Sequence, residues 1–400
     1  MPAVGCSTLV SCAAGGTPMK SPAQPEVTRD GVLAWEDEVV TYAGPRSGWT
    51  GSVDEDLAGR TIVPGFVDCH THLPFVRWRD DEYEARLTGR TYRDLHGEGG
   101  IHRSARLLAD SSDQEILDFC HPLLHEMLAH GTTAMELKTG YGLSVEQELR
   151  QARLARAMAD AIPQTCTLTL LACHAVPDEW DREAWVETVC RELIPQAVAE
   201  GLADAVDVYV EDIAFTVADL ERVAETVAGA GLPLRVHADQ LGHSGAAEAA
   251  VRLQARSADH LNHIGAAGVR ALRQGSTAAV LLPASTLVLG ATAPPVAALS
   301  EGGAVLALAT DFNPGTSPVL SMPEAIAIGC ALYRLAPLEA LAAATVNAAW
   351  VLGLENRLGS LAPGKRADFL VLEGEDFRMT PYRPGHNPVV RTFVGGVASG

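Results

Sequence analysis

The stretch Thr61-Ile62-Val63-Pro64-Gly65-Phe66-Val67-Asp68-Cys69-His70-Thr71-His72 is an apolar, strand-like run that ends in residues able to do chemistry. On a strand, residues i and i+2 project to the same side, so His70 and His72 aim two imidazoles at one point. The same alternation turns Cys69 away from them, into packed core. This run is the first of eight. Further apolar runs lie at 132–138, 165–173, 205–210, 233–236, 257–260, 278–283 and 304–310, and the first occupies 61–70. Helix-like amphipathic segments stand between them, as at 112–130, 144–161, 181–200 and 216–230. The span from 61 to about 352 gives roughly 36 residues per unit, the length of a βα repeat. Near-continuous apolar strands indicate a parallel sheet buried on both faces. An open doubly wound sheet is the alternative, but no glycine-rich phosphate fingerprint follows the first strand.

The two ends of the chain read differently. Residues 1–60 are rich in glycine, proline and serine around short β-like runs such as Val32-Leu33-Ala34-Trp35 and Val39-Val40-Thr41-Tyr42. The style returns in Asp368-Phe369-Leu370-Val371-Leu372 and in Val389-Val390-Arg391-Thr392-Phe393-Val394. Short strands at both ends point to one small β-domain assembled from both termini. The expected fold is therefore α/β: a (β/α)8 TIM-like barrel over 61–355, carrying a small β-sandwich domain built from 1–60 and 356–400.

The chain has 400 residues, 47% apolar and 20% charged, which supports a large core and excludes disorder as the main state. Fifty acidic against 30 basic residues give a net charge of −20, which argues against nucleic acid and anionic membrane as partners. An anionic substrate would need a local basic clamp against that field. No run of 18 apolar residues appears. Leu9-Val10-Ser11-Cys12 looks like a lipoprotein cleavage box but stands without the basic and long apolar segments that precede one. The eight cysteines form no C-x-x-C pair, as expected of reduced thiols in a cytoplasmic protein.

Chemistry in such barrels sits at the C-terminal ends of the strands. There the first run carries His70 and His72, the third leads into His174, the fifth ends in His237, the sixth in His260 and the eighth in Asp311. Only 13 histidines exist in the chain, so four strand ends bearing histidine are not a chance scatter. His70, His72, His237 and Asp311 form a ligand set of nitrogen and oxygen without thiolate. Such a set suits one divalent or trivalent ion per chain, zinc or iron, in a catalytic site. Lys138 ends the second strand as a structural ion-pair residue or a carbamylated bridge between two metals. The complete single-ion set favours the first.

Taken together these features resemble the amidohydrolase superfamily and, within it, the imidazolonepropionase family. The first-strand segment 64–72 and the return at 359–368 are shared with the superfamily. More specific are Glu136-Leu137-Lys138-Thr139-Gly140-Tyr141-Gly142-Leu143, Val236-His237-Ala238-Asp239-Gln240, Ser257-Ala258-Asp259-His260-Leu261 and Ala309-Thr310-Asp311-Phe312-Asn313-Pro314-Gly315. They occur in family order from about residue 30 to the C-terminus. The resemblance implies opening of the 4-imidazolone-5-propanoate ring by water to N-formimidoyl-L-glutamate, a step of histidine degradation. It implies that Asp311 carries the proton, that His260 faces the attacked oxygen and that His174 binds the ring or that oxygen. It implies Arg79 as the clamp on the substrate carboxylate, with Tyr92, Tyr141, Gln240, Asn313 and Gly315 around a small anionic heterocycle. A homodimer is implied too. Gln240 cannot transfer a proton as a glutamate would, which leaves that work to Asp311 and His260. Arg77 and Trp78 are bulkier than the family pattern, and Arg77 would compete with Arg79 for the carboxylate. Two alternatives stand beside this reading. One is a related amidohydrolase that hydrolyses or deaminates another small heterocycle. The other is a metal-free assembly protein, whose mark would be a lost ligand.

Overall fold

The computed structural model describes residues 1–13, 16–96 and 99–399. Among them, two sheets divide the strands. The first is formed by β1 (Ala3–Leu9), β2 (Thr28–Glu36), β3 (Val39–Pro45) and β4 (Glu55–Pro64) from the N-terminal part, joined to later strands from the C-terminal part. The second is an eight-stranded parallel sheet of β5 (Phe66–Asp68), β6 (Thr132–Lys138), β7 (Thr165–Cys173), β8 (Ala205–Val210), β9 (Leu234–Ala238), β10 (Ser257–His260), β11 (Ala278–Leu281) and β12 (Leu306–Leu308), in sequence order. The strands that complete the first sheet are β13 (Phe369–Leu372), β14 (Val389–Val394) and β15 (Val397–Ser399), in the order β15-β14-β13-β4-β1-β2-β3.

The parallel sheet is brought round to a barrel just beyond its strand ends. Thr71 and Phe312 form a parallel bridge, and the His72 amide donates to the Phe312 carbonyl at 2.9 Å. Closure thus runs through backbone beside the residues expected to do chemistry. The helices start where the sequence offers caps. Ser112 and Glu115 form a capping box before Asp113–Ala129, and Thr216 and Asp219 form one before Val217–Gly229. Ser144 caps Val145–Asp160, and Asp181 caps Arg182–Thr188. No helix of the described residues is long and apolar enough to cross a membrane.

One expectation needs correction. The run 61–70 is not a single barrel strand. Thr61–Pro64 belongs to the terminal sheet, with Ile62 opposite Val371 and Pro64 opposite Phe369. The chain changes sheets at Pro64-Gly65. The Gly65 amide still donates to the Asp368 carbonyl at 2.9 Å, whereas the next amide, Phe66, donates to Gly131 at 3.0 Å. A Cβ at Gly65 would lie 2.1 Å from Thr133 Oγ1, so only glycine fits this close crossing.

The terminal sheet is curled. β2 and β13 are three places apart in it, which is about 14 Å if flat, yet the Trp35 and Phe369 rings lie 5.2 Å apart. Phe369 stacks on Phe393 at 4.2 Å. The two halves therefore face each other across an apolar layer that includes Leu9, Leu33, Trp35, Ile62 and Val371. This is the expected sandwich, made from one hydrogen-bonded sheet.

Candidate active site

The C-terminal ends of the barrel strands converge. His70 Nε2 lies 3.3 Å from His72 Nε2 and 3.6 Å from Asp311 Oδ1, and His72 Nε2 lies 3.3 Å from the same oxygen. The His237 ring is 4.5 Å from that of His70 and 5.2 Å from that of His260. Donor atoms of His70, His72 and Asp311, and of His70, His237 and His260, come within the mutual reach of one metal ion. All five residues are buried. Left-handed backbone at His260 (φ 75°) and Asp311 (φ 55°) re-aims these side chains as each strand ends.

Buried carboxylates lie beneath the cluster, and one of them sets the His70 tautomer. Asp259 Oδ2 is 2.6 Å from His70 Nδ1, and Asp207 Oδ2 is 3.0 Å from His237 Nδ1. An ionised carboxylate only accepts, so His70 Nδ1 carries hydrogen and His70 Nε2 is left bare toward the centre. Burial holds His70 and His72 well below the ordinary imidazole range, neutral as ligands must be. Both ring nitrogens of His237 and Asp311 Oδ2 are buried and have no hydrogen-bond partner among the described residues. Orphaned polar atoms at the centre of an imidazole and carboxylate set are what a bound cation satisfies, so these residues fit a metal.

Around the cluster is a small polar cavity. Arg79, Tyr92, Tyr141, His174, Gln240, His260, Asp311 and Asn313 all line it, together with His72 and His237. His174 stacks on His72 at 5.2 Å, and its Nδ1 donates to the Gly140 carbonyl at 3.0 Å, so its Nε2 is unprotonated. Asn313 has a second task. Its Nδ2 reaches Asp311 Oδ1 at 3.1 Å, while its Oδ1 accepts from the Gly315 and Thr316 amides at 2.9 and 2.7 Å. Gly315 does not line the cavity; it makes room for Arg79. A Cβ there would lie 1.7 Å from an Arg79 guanidinium nitrogen. Gly315→Ala is therefore expected to displace Arg79 and raise KM about tenfold with little change in kcat, read from steady-state kinetics.

Arg77 does not compete with Arg79. Its left-handed backbone (φ 63°) turns its side chain to solvent, whereas Arg79 is 3% exposed. Trp78 packs against Phe75, Phe119 and Phe312 instead of filling the cavity. Lys138 is an ion-pair residue: its Nζ lies 2.6 Å from Asp207 and 2.7 Å from Glu136. Cys69 is packed in the core with Val67 and Ala134. Sequence reasoning did not single out Tyr209 and Thr316, which line the cavity with Ile101, and gave no role to Asp207 and Asp259, which lie against His237 and His70. For Asp207 a signal existed, since it is an acid inside the otherwise apolar strand Ala205–Val210, and Asp259 stands inside the family segment 257–261.

This is the site of a metal-dependent hydrolase, and residues 61–398 match the amidohydrolase family, to which the chain belongs. The relatives narrow the class to the imidazolonepropionases. That of Rubrobacter xylanophilus is 48% identical over 85% of this chain and 82% of its own length. That of Rhizorhabdus wittichii is 41% identical over 91% of this chain and 93% of its own. Solved structures share the fold at lower identity. An adenosine deaminase from Xanthomonas campestris with bound zinc has a TM-score of 0.72 at 18% identity, covering 99% of this chain and 92% of its own. Guanine deaminase of E. coli has a TM-score of 0.73 at 16% identity, covering 100% and 99%.

Proposed function

We propose that this chain opens the ring of 4-imidazolone-5-propanoate with water, giving N-formimidoyl-L-glutamate in histidine degradation. The observation that carries the reading is that one small cavity holds both a buried arginine and the cluster of histidines and Asp311. That pairing suits a small ring bearing a carboxylate. His70, His72, His237 and Asp311 would hold one metal ion, zinc or iron, because a nitrogen and oxygen donor set suits both. Such an ion, when bound, makes water a better nucleophile at neutral pH and polarises an amide carbonyl.

The chain's own groups do the rest. Arg79 can pair bidentately with the propionate and so fixes the ring's position as well as its charge. Tyr141 keeps its hydroxyl proton, because burial pushes it above the ordinary phenol range, and so donates. Gln240 hydrogen-bonds the ring without exchanging a proton. Burial raises the Asp311 carboxyl above the ordinary range, which suits a group that takes a proton from water and gives it to the departing ring nitrogen. Burial pushes His260 down to about 3, so it faces the attacked oxygen as a neutral ring. Water adds to the carbonyl carbon, the carbon–nitrogen bond of the ring breaks, and the nitrogen leaves with the proton.

The test is ultraviolet-monitored turnover of 4-imidazolone-5-propanoate, with metal content read on the same sample. Loss of the ring chromophore with about one ion per chain supports the reading. Metal-loaded protein that leaves the compound untouched would overturn the substrate and keep the hydrolase. Arg79→Ala is expected to raise KM about a hundredfold while kcat changes far less, since it removes an anion clamp and no reacting group. A loss confined to kcat would contradict that role.

A further inference from the structure

The chain just past β8 has no part in the chemistry above, yet it touches two walls of the cavity. Glu211 is 2% exposed, an expensive place for a carboxylate. Its backbone is fixed by a tight loop: the Glu211 amide donates to the Phe215 carbonyl, and the Ala214 amide donates to the Glu211 carbonyl, both at 3.0 Å. From that anchor Oε1 reaches the neighbouring loop and accepts from the Gln240 amide at 2.6 Å and the Leu241 amide at 2.8 Å. The next residue, Asp212, pairs with Arg93 at 2.6 Å, and Arg93 also donates to the Leu241 carbonyl at 3.5 Å. Gln240 and Tyr92, the residue before Arg93, both line the cavity. Glu211, Asp212, Leu241 and Arg93 thus close a ring of contacts behind two substrate-facing side chains.

We infer that Glu211 and Asp212 are positioning residues, a brace from one strand end that sets Gln240 and Tyr92 against the substrate. Neither touches the reacting atoms. The inference rests on the ring-opening reading for its substrate, but the contacts themselves do not depend on it.

The test pairs kinetics with amide exchange. In Glu211→Ala, the Gln240 and Leu241 amides are expected to lose hydrogen-exchange protection. KM for 4-imidazolone-5-propanoate is expected to rise about tenfold with kcat within about twofold. Glu211→Gln keeps a carbonyl acceptor and is expected to restore most of both. Arg93→Ala, at a half-exposed site that leaves the core intact, is expected to raise KM in the same direction. Native protection of the two amides in Glu211→Ala overturns the brace. So does lost protection with unchanged KM, or a glutamine variant as impaired as the alanine one. Wild-type protein inactive on this compound refutes the ring-opening reading instead, and the exchange result then decides the brace alone.

Discussion

Asp311→Ala is expected to lower kcat by at least about a thousandfold and to reduce bound metal, with the barrel still folded. Three observations support this. Asp311 Oδ1 is the oxygen that both His70 and His72 approach, so its loss opens the ligand set. Its Oδ2 is buried without a hydrogen-bond partner, and in the proposed ring opening it is the oxygen that carries the proton. Barrel closure passes instead through the Thr71 and Phe312 backbone and the Asp68 carboxylate, which accepts from the Thr310 amide at 3.0 Å and its hydroxyl at 2.6 Å. The fold therefore does not hang on the Asp311 side chain. Asp311→Asn separates the two roles, because it keeps an oxygen donor but cannot take up a proton. An asparagine protein with near-native metal content and a rate as low as that of the alanine protein assigns the loss to proton transfer. An alanine protein with a near-native rate would remove Asp311 from the mechanism.

The convergence of the four residues was legible because each is a polar residue at the end of an apolar strand, and strand ends in a parallel barrel share one face. His70, His72, His237 and Asp311 needed only that rule and the period of two. The helix starts at Ser112, Ser144, Asp181 and Thr216 were legible because capping is local. What was not legible depends on contacts between distant segments. Thr61–Pro64 looks like the start of a barrel strand, and only its pairing with Phe369–Leu372 and with Thr8 and Leu9 shows that it belongs to the other sheet. The bulk of Arg77 and Trp78 suggested an altered substrate mouth, but a single left-handed residue sends one to solvent, and an aromatic cluster takes the other. Asp207 carries no motif, and Asp259 lies in a family segment that gave it no role; what each does appears only when β8 and β10 stand beside the histidines. Glu211 is visible in sequence as an acid at the fourth strand end, but its role is not, since its partners are amides 29 and 30 residues away.

Lys138→Met should be the most destabilising single change near the site. Lys138 is fully buried and sits between Glu136 and Asp207, themselves fully buried. Arg235 contacts Glu136 from the other side and donates to Thr169 at 2.9 Å. Removing the lysine strands carboxylates in a medium where an uncompensated charge is costly, and a loss of about 3–5 kcal/mol is expected from chemical denaturation. The change also has a pH signature. Burial alone would raise the Asp207 carboxyl, but His237 and Lys138 hold it below the ordinary range. Its folded-state pKa is thus depressed relative to the unfolded chain. Its stabilising contribution is therefore present above the ordinary carboxylate range and lost as pH falls through the folded value. Without Lys138 that depression shrinks, so the variant's deficit should be largest near neutrality and smaller in acid. The damage reaches the site as well, because the same Asp207 oxygen that Lys138 holds lies 3.0 Å from His237 Nδ1. A variant of wild-type stability at neutral pH would show that the lysine is not compensating these charges. A stable variant that has nonetheless lost metal would leave Lys138 with the narrower task of holding Asp207 in place for His237.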